Sequence, residues 1–277
     1  MTTHPFQSVF RNTRCLYAST LALAASTLTL HATTIAVPNA SFESQSAVGF
    51  PFGTNPFLDF WQKNAEPAYF APIAAAYGIP WYGTAGAFIG TSPNSPNPYT
   101  NLVGTQAGYI LGFPMVALFQ DYDTSAGHEF DGTFEIGKTY DLTLGLFGKP
   151  TLAASSTFRL SLYYRDTANT VNDPLGEKTI VNSTGVGYSA ATFVNNATPA
   201  LIDYDVLVGA VLPTDPWAGK HIGILLETVD PIPTGGNWDF DNVRLAATAV
   251  PEPASASLLA FGIGGLMMRR SRSRRVE

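Results

Sequence analysis

The chain has 277 residues and a formal charge of −6, but residues 1–32 carry +2, residues 251–277 carry +3 and residues 33–250 carry −11. An acidic body with basic tips argues against nucleic-acid binding, because phosphate recognition needs clustered Lys and Arg on the folded surface. Only 13% of residues are charged, whereas Gly (25), Pro (20) and aromatics (12%) are plentiful, a composition of turn-rich β proteins rather than helical bundles.

At the N-terminus, Arg11 and Arg14 precede an apolar stretch from Cys15 to Leu30, and Leu30-His31-Ala32 ends in a small residue. This pattern predicts a secretory signal peptide over 1–32, cut by signal peptidase after Ala32. Ser19, Thr20, Ser26, Thr27 and Thr29 make the segment too polar for a lasting membrane span. Cys15, the only cysteine, leaves with it. The exported chain then has no disulfide or thiol chemistry, and its stability must come from a core.

The body, 33–248, alternates apolar and polar residues with the period of a half-buried strand. Tyr140, Leu142, Leu144 and Leu146 share one face; Phe158, Leu160, Leu162 and Tyr164 alternate with Arg159, Ser161, Tyr163 and Arg165. Residues 201–211 and 222–226 read as further strands. No stretch of the body sustains a helical stripe. The expected class is all-β, an antiparallel β-sandwich. Residues 50–104, rich in Pro, and 166–200, rich in Asn, Thr, Ser and Gly, read as long loops of the kind that carry binding sites.

Six motifs punctuate the body: Val37-Pro38-Asn39-Ala40-Ser41-Phe42-Glu43, Asp59-Phe60-Trp61, Gly104-Thr105-Gln106-Ala107-Gly108-Tyr109-Ile110, Phe119-Gln120, Phe134 through Thr143, and Asn237-Trp238-Asp239-Phe240-Asp241-Asn242-Val243-Arg244-Leu245. In this order they resemble the galactose-binding-like jelly rolls of many carbohydrate-binding modules. The resemblance implies a jelly-roll sandwich with adjacent first and last strands. It also implies a structural Ca²⁺ held by Glu43 and Asp241, with Asn39 as a weaker third, since Ca²⁺ takes six to eight hard oxygen ligands. Ordinary turn carboxylates are the competing reading of the same residues. Trp238 and Phe240 alternate in one phase and Val243 and Leu245 in the other, so a bulge is expected at 241–242.

Sugar recognition needs exposed aromatics, and Trp81, Tyr82 and Trp217 stand in Pro- and Gly-rich contexts that would expose them. Trp61 and Trp238 read as core. Asp121, Asp123, Glu129 and Asp131 begin with Asp-x-Asp spacing, but Ala126 stands where a Ca²⁺ loop needs Gly, so they read as solvated loop acids. Only His128 and His221 remain after export, and no nucleophile, zinc or phosphate-loop motif occurs. The body is read as non-catalytic, with a carboxylate-pair hydrolase of carbohydrate and a purely structural surface protein as alternatives.

At the C-terminus, Pro251-Glu252-Pro253 precedes fifteen uncharged residues, 254–268, and then Arg269, Arg270, Arg272, Arg274 and Arg275. Fifteen helical residues span about 22 Å, short for a ~30 Å hydrocarbon core, and the arginines would stay cytoplasmic. The segment 249–277 resembles the PEP-CTERM sorting signal of exported bacterial proteins. That resemblance implies a short transmembrane helix, processing by an exosortase at the Pro-Glu-Pro motif, and a final place at the cell surface or in a polysaccharide matrix.

Overall fold

The computed structural model describes residues 31–48, 53–90, 99–123, 125–165, 178–193, 199–230, 232–233 and 235–250. Residues 1–30 of the expected signal peptide lie outside this set. So does the sorting element with Pro251, Glu252, Pro253, Arg269 and Arg270. Among the described residues no helix is long and apolar enough to cross a membrane.

The strands are β1 (Ala32–Ile35), β2 (Thr54–Asn55), β3 (Gln62–Lys63), β4 (Ala85–Ile89), β5 (Gln106–Leu111), β6 (Ala117–Gln120), β7 (Lys138–Gly148), β8 (Thr157–Arg165), β9 (Lys178–Gly187), β10 (Ile202–Val208), β11 (Gly223–Thr228) and β12 (Asn237–Ala249). They form two antiparallel sheets. One runs β10-β7-β12-β5-β4-β2 with β1 added to β12; the other runs β3-β6-β11-β8-β9. The alternating stretches read from sequence are β7, β8, β10 and β11, and their apolar faces close on one core. Phe158 of β8 meets Trp238 and Phe240 of β12 across the sandwich, at centroid distances of 5.9 and 5.8 Å. The all-β sandwich is therefore the observed architecture.

First and last strands are adjacent: Ala32 pairs with Thr248 and Ile35 with Leu245. The expected bulge is present. Register between β12 and β7 shifts between Asp241 and Arg244, and Asn242 takes φ +58°. The extra residue lets Trp238, Phe240, Val243 and Leu245 all enter the core, although a regular strand would turn two of them outward.

The expected loops are richer than their composition indicates. Residues 50–104 hold β4, whose small buried residues Ala85, Gly86 and Ala87 show no polar alternation because both faces are covered. They also hold the α-helix α1 (Phe70–Tyr77). Alanine favours it, Pro72 sits in the first turn where its missing N–H costs nothing, and Gly78 ends it in the left-handed region, donating to Ala74 O at 2.8 Å. At eight residues it is too short for a periodic stripe. Within 166–200, β9 is an edge strand on β8, polar because most of it is exposed.

Candidate functional site: an aromatic cleft at the sheet edge

The short edge strand β3 pairs with β6, placing Lys63 opposite Leu118. Opposed residues of an antiparallel pair share a face, and Leu118 is in the core, so Lys63 points into the sandwich. Its Nζ donates to Trp81 O and Thr84 Oγ1 and lies 4.6 Å from the centroid of the Trp81 ring. Burial lowers its pKa to about 7, against the opposing pull of Glu66.

The 3₁₀ turn Trp81–Thr84 leads into β4 and presents the ring. Trp81 Nε1 donates to Asn64 O at 2.9 Å, and the ring stands edge-on to Phe70 of α1 at 4.8 Å. The result is a cleft of about 370 Å³ lined by Phe57, Trp61, Lys63, Glu66, Trp81 and Tyr82 among others. Phe57 and Tyr82 form its lip. They are 62% and 57% exposed, yet stack on each other at 6.2 Å and 14°. The two rings together present an exposed apolar face beside the cleft.

Two of the three aromatics singled out from sequence, Trp81 and Tyr82, thus line one cleft. Trp217 does not: it packs half-buried against the core from the turn after Asp215, because a turn that crosses a core edge covers its large residue. Phe57, Lys63 and Glu66 belong to no motif that singles them out. Lys63 carries one signal, being the only Lys or Arg between residues 33 and 137.

Of the residues proposed for Ca²⁺, Glu43 and Asp241 meet at the 103–106 loop. Glu43 Oε1 accepts from Thr105 N (2.7 Å) and Gln106 N (2.6 Å), and its Oε2 accepts from Thr105 Oγ1 (3.1 Å). Asp241 Oδ2 accepts from Val103 N at 2.7 Å, while its Oδ1 is buried with no hydrogen-bond partner. Asn39 is turned elsewhere, donating to Asp59 O and accepting from Ser44 N. The carboxylates are largely spent on backbone amides, one free oxygen is left, and the set fits a six- to eight-coordinate cation poorly. Among the described residues no group of three or more His, Cys, Asp or Glu is disposed to hold a metal ion.

The acids read as solvated are partly otherwise. Asp121 and Asp123 are 5% and 8% exposed. His128 Nδ1 lies 3.2 Å from Asp121 Oδ1 and 3.0 Å from Asp123 Oδ2. Asp121 Oδ2 also accepts from Tyr163 OH (2.6 Å) and Arg165 Nε (2.5 Å). Next to this anion the buried Tyr163 phenol is pushed well above its ordinary pKa, by burial first. The network ties β8 to the loop after β6, and its burial follows from the fold because the residues come from separate elements. Glu129 and Asp131 are exposed, the latter 3.1 Å from His221 Nδ1.

No protein-family model matches the chain, and no curated protein is similar to it. Solved structures are. A cyclase from Fischerella sp. TAU is 18% identical over 80% of this chain and 100% of its own, with TM-score 0.53. A Stig cyclase from the same organism, in complex with a pyrrolidinylidene-indole, is 20% identical over 80% and 100%, with TM-score 0.51. A family 22 carbohydrate-binding module of a Clostridium thermocellum xylanase is 15% identical over 78% and 99%, with TM-score 0.35. At these identities the cyclases establish a shared β-sandwich fold and nothing about chemistry.

Proposed function

We propose that this chain is an exported, non-catalytic β-sandwich of the jelly-roll type. It associates with extracellular polysaccharide through the Trp81 cleft and is sorted by an exosortase at Pro251-Glu252-Pro253. The observation that carries the reading is the stacked, exposed pair of Phe57 and Tyr82 in the cleft that Trp81 also lines. Such rings offer flat apolar faces to the C–H faces of sugar rings, while a few polar groups, here Asn64 and Glu66, give orientation. The carboxylate-pair hydrolase reading is weaker, since Glu66 is the only acid lining the cleft among the described residues and a glycosidase needs two.

β12 gives the proposal a geometry. Ala85, just after the Trp81 turn, pairs with Ile110, and Ile110 pairs with Trp238, whereas Val250, the last described residue, follows the far end of β12. Twelve strand steps of about 3.3 Å separate the two levels by roughly 40 Å. A precursor tethered through its tail therefore carries the cleft toward the end away from the membrane.

The test is a glycan array on the full-length chain with single substitutions. Trp81→Ala and Tyr82→Ala should each weaken binding at least tenfold, about 1.4 kcal/mol, and Trp217→Ala should leave it unchanged. Failure of the unsubstituted chain to bind any glycan would sink the polysaccharide reading in favour of a purely structural protein. Sorting is checked separately: in an exosortase-bearing host, Glu252→Ala should leave the Arg-rich tail attached, as read by mass spectrometry of the exported product.

A further inference from the structure

We propose that Lys63 is a carbonyl-capturing amine that condenses with an aldehyde entering the aromatic cleft and holds it as an imine. The geometry comes first. An edge-strand lysine that faces Leu118 and the interior is held at the cleft by two acceptors, Trp81 O and Thr84 Oγ1. Thr84 Oγ1 spends its own proton on Trp81 O at 2.8 Å, so it is free to accept. Two acceptors match the two N–H bonds of a neutral amine, and Lys63 lines the cleft itself. A third N–H of an ammonium has the Trp81 face, 4.6 Å away, and the Glu66 charge to answer it.

Burial moves the amine the same way, to a pKa of about 7. Near neutral pH a large share of Lys63 is then unprotonated, whereas an ordinary lysine with a pKa near 10.4 is neutral in only about 1 copy in 2,500. A lysine desolvated in an apolar pocket is the usual setting for imine formation. Two other lysines are ion-paired: Lys138 is 2.7 Å from Glu135 and Lys149 is 3.2 Å from Asp239. The cleft, at about 370 Å³, admits a short aldehyde or the open-chain end of a sugar.

The step balances without a redox partner. The Nζ lone pair forms a C–N bond to the carbonyl carbon, the C=O π pair goes to oxygen, and a proton passes from nitrogen to oxygen. The carbinolamine then loses its hydroxyl as water, with a proton from solvent, leaving a protonated imine. The sugar-end form of the proposal rests on the polysaccharide reading; the amine chemistry does not. The competing explanation is that an inward lysine on an edge strand only guards against strand-to-strand association, which gives no preference in capture.

The experiment uses the full-length chain at pH 7 with glycolaldehyde or maltotriose, sodium cyanoborohydride to trap the imine, and peptide mapping by mass spectrometry. Lys63 should be labelled at least tenfold faster than Lys138, Lys149 and Lys220 by at least one of the two probes. Equal or slower labelling of Lys63 by both would overturn the proposal. Labelling by glycolaldehyde alone assigns the site to small aldehydes; labelling by maltotriose assigns it to sugar ends. Lys63→Arg keeps a donor and an edge charge and should lose the label with its melting temperature within a few degrees. Persistent fast labelling of that region in the variant counts against the site. Preferential labelling without glycan binding removes the polysaccharide reading alone, and glycan binding without it removes this one alone.

Discussion

Asp241 combines a strained neighbour, a loop and a displaced proton affinity in one residue. Asn242 beside it holds φ +58°, the Asp241 Oδ2 holds the Val103 amide, and burial, reinforced by the Glu43 charge, pushes the Asp241 pKa up to about 7. A folded-state value above the unfolded ~3.9 means the native state holds the proton more tightly. That contribution to stability is complete below pH ~4 and is lost as pH rises through about 7. The loss is on the order of 4 kcal/mol for a group this buried. Urea unfolding at pH 4.5, 6 and 7.5 should show it, and Asp241→Asn, which keeps the acceptor for Val103, should flatten that part of the slope. An unchanged slope in the variant would refute the assignment. Asp121 is held by three side chains, Tyr163, Arg165 and His128. Asp121→Ala should cost about 3–5 kcal/mol in the same assay, since it removes one member of a buried charged network; Tyr163→Phe, which removes one hydrogen bond, should cost about 1–2 kcal/mol.

At the scale of elements, β12 is legible in the sequence and α1 is not, for reasons that lie in periodicity. Thirteen residues of strand show their alternation, and the break in phase at 241–242 is itself the mark of the bulge. Eight residues of helix cannot show a stripe, and Pro72 within them reads as a breaker unless its place in the first turn is known. β4 is hidden differently: a strand covered on both faces by small residues has no polar face to alternate with. Its neighbour β5 carries the sharpest local constraint. The Phe240 ring lies across Gly108, where a Cβ would come within 2.3 Å of its Cε2. Gly108→Ala must push that ring into the core and should destabilise the protein by about 1–3 kcal/mol, measured as a lower urea midpoint with an unchanged m-value.

For the whole molecule, the meeting of Glu43 and Asp241 at the loop between β4 and β5 argues that backbone amides, rather than a cation, join the opening turn to β12. EDTA should then leave the melting temperature unchanged; a drop of several degrees would restore the structural Ca²⁺, because a ligand bound only to the native state must stabilise it. The sequence alone determined the class of fold, the bulge, and Trp81 and Tyr82 as candidate binding residues, because each of these is written in local alternation or local composition; the adjacency of the end strands was what the resemblance of the motifs implied. Tertiary structure alone decided that Trp217 is half-buried, that Asp121, Asp123 and His128 form an interior network, and that Lys63 faces the core beneath Trp81. Those are properties of the pairing of β3 with β6 and of the packing between sheets. A chain acidic across its body and nearly bare of cations from 33 to 137 has spent its one early lysine inside that cleft, where loss of water, rather than sequence context, sets its charge.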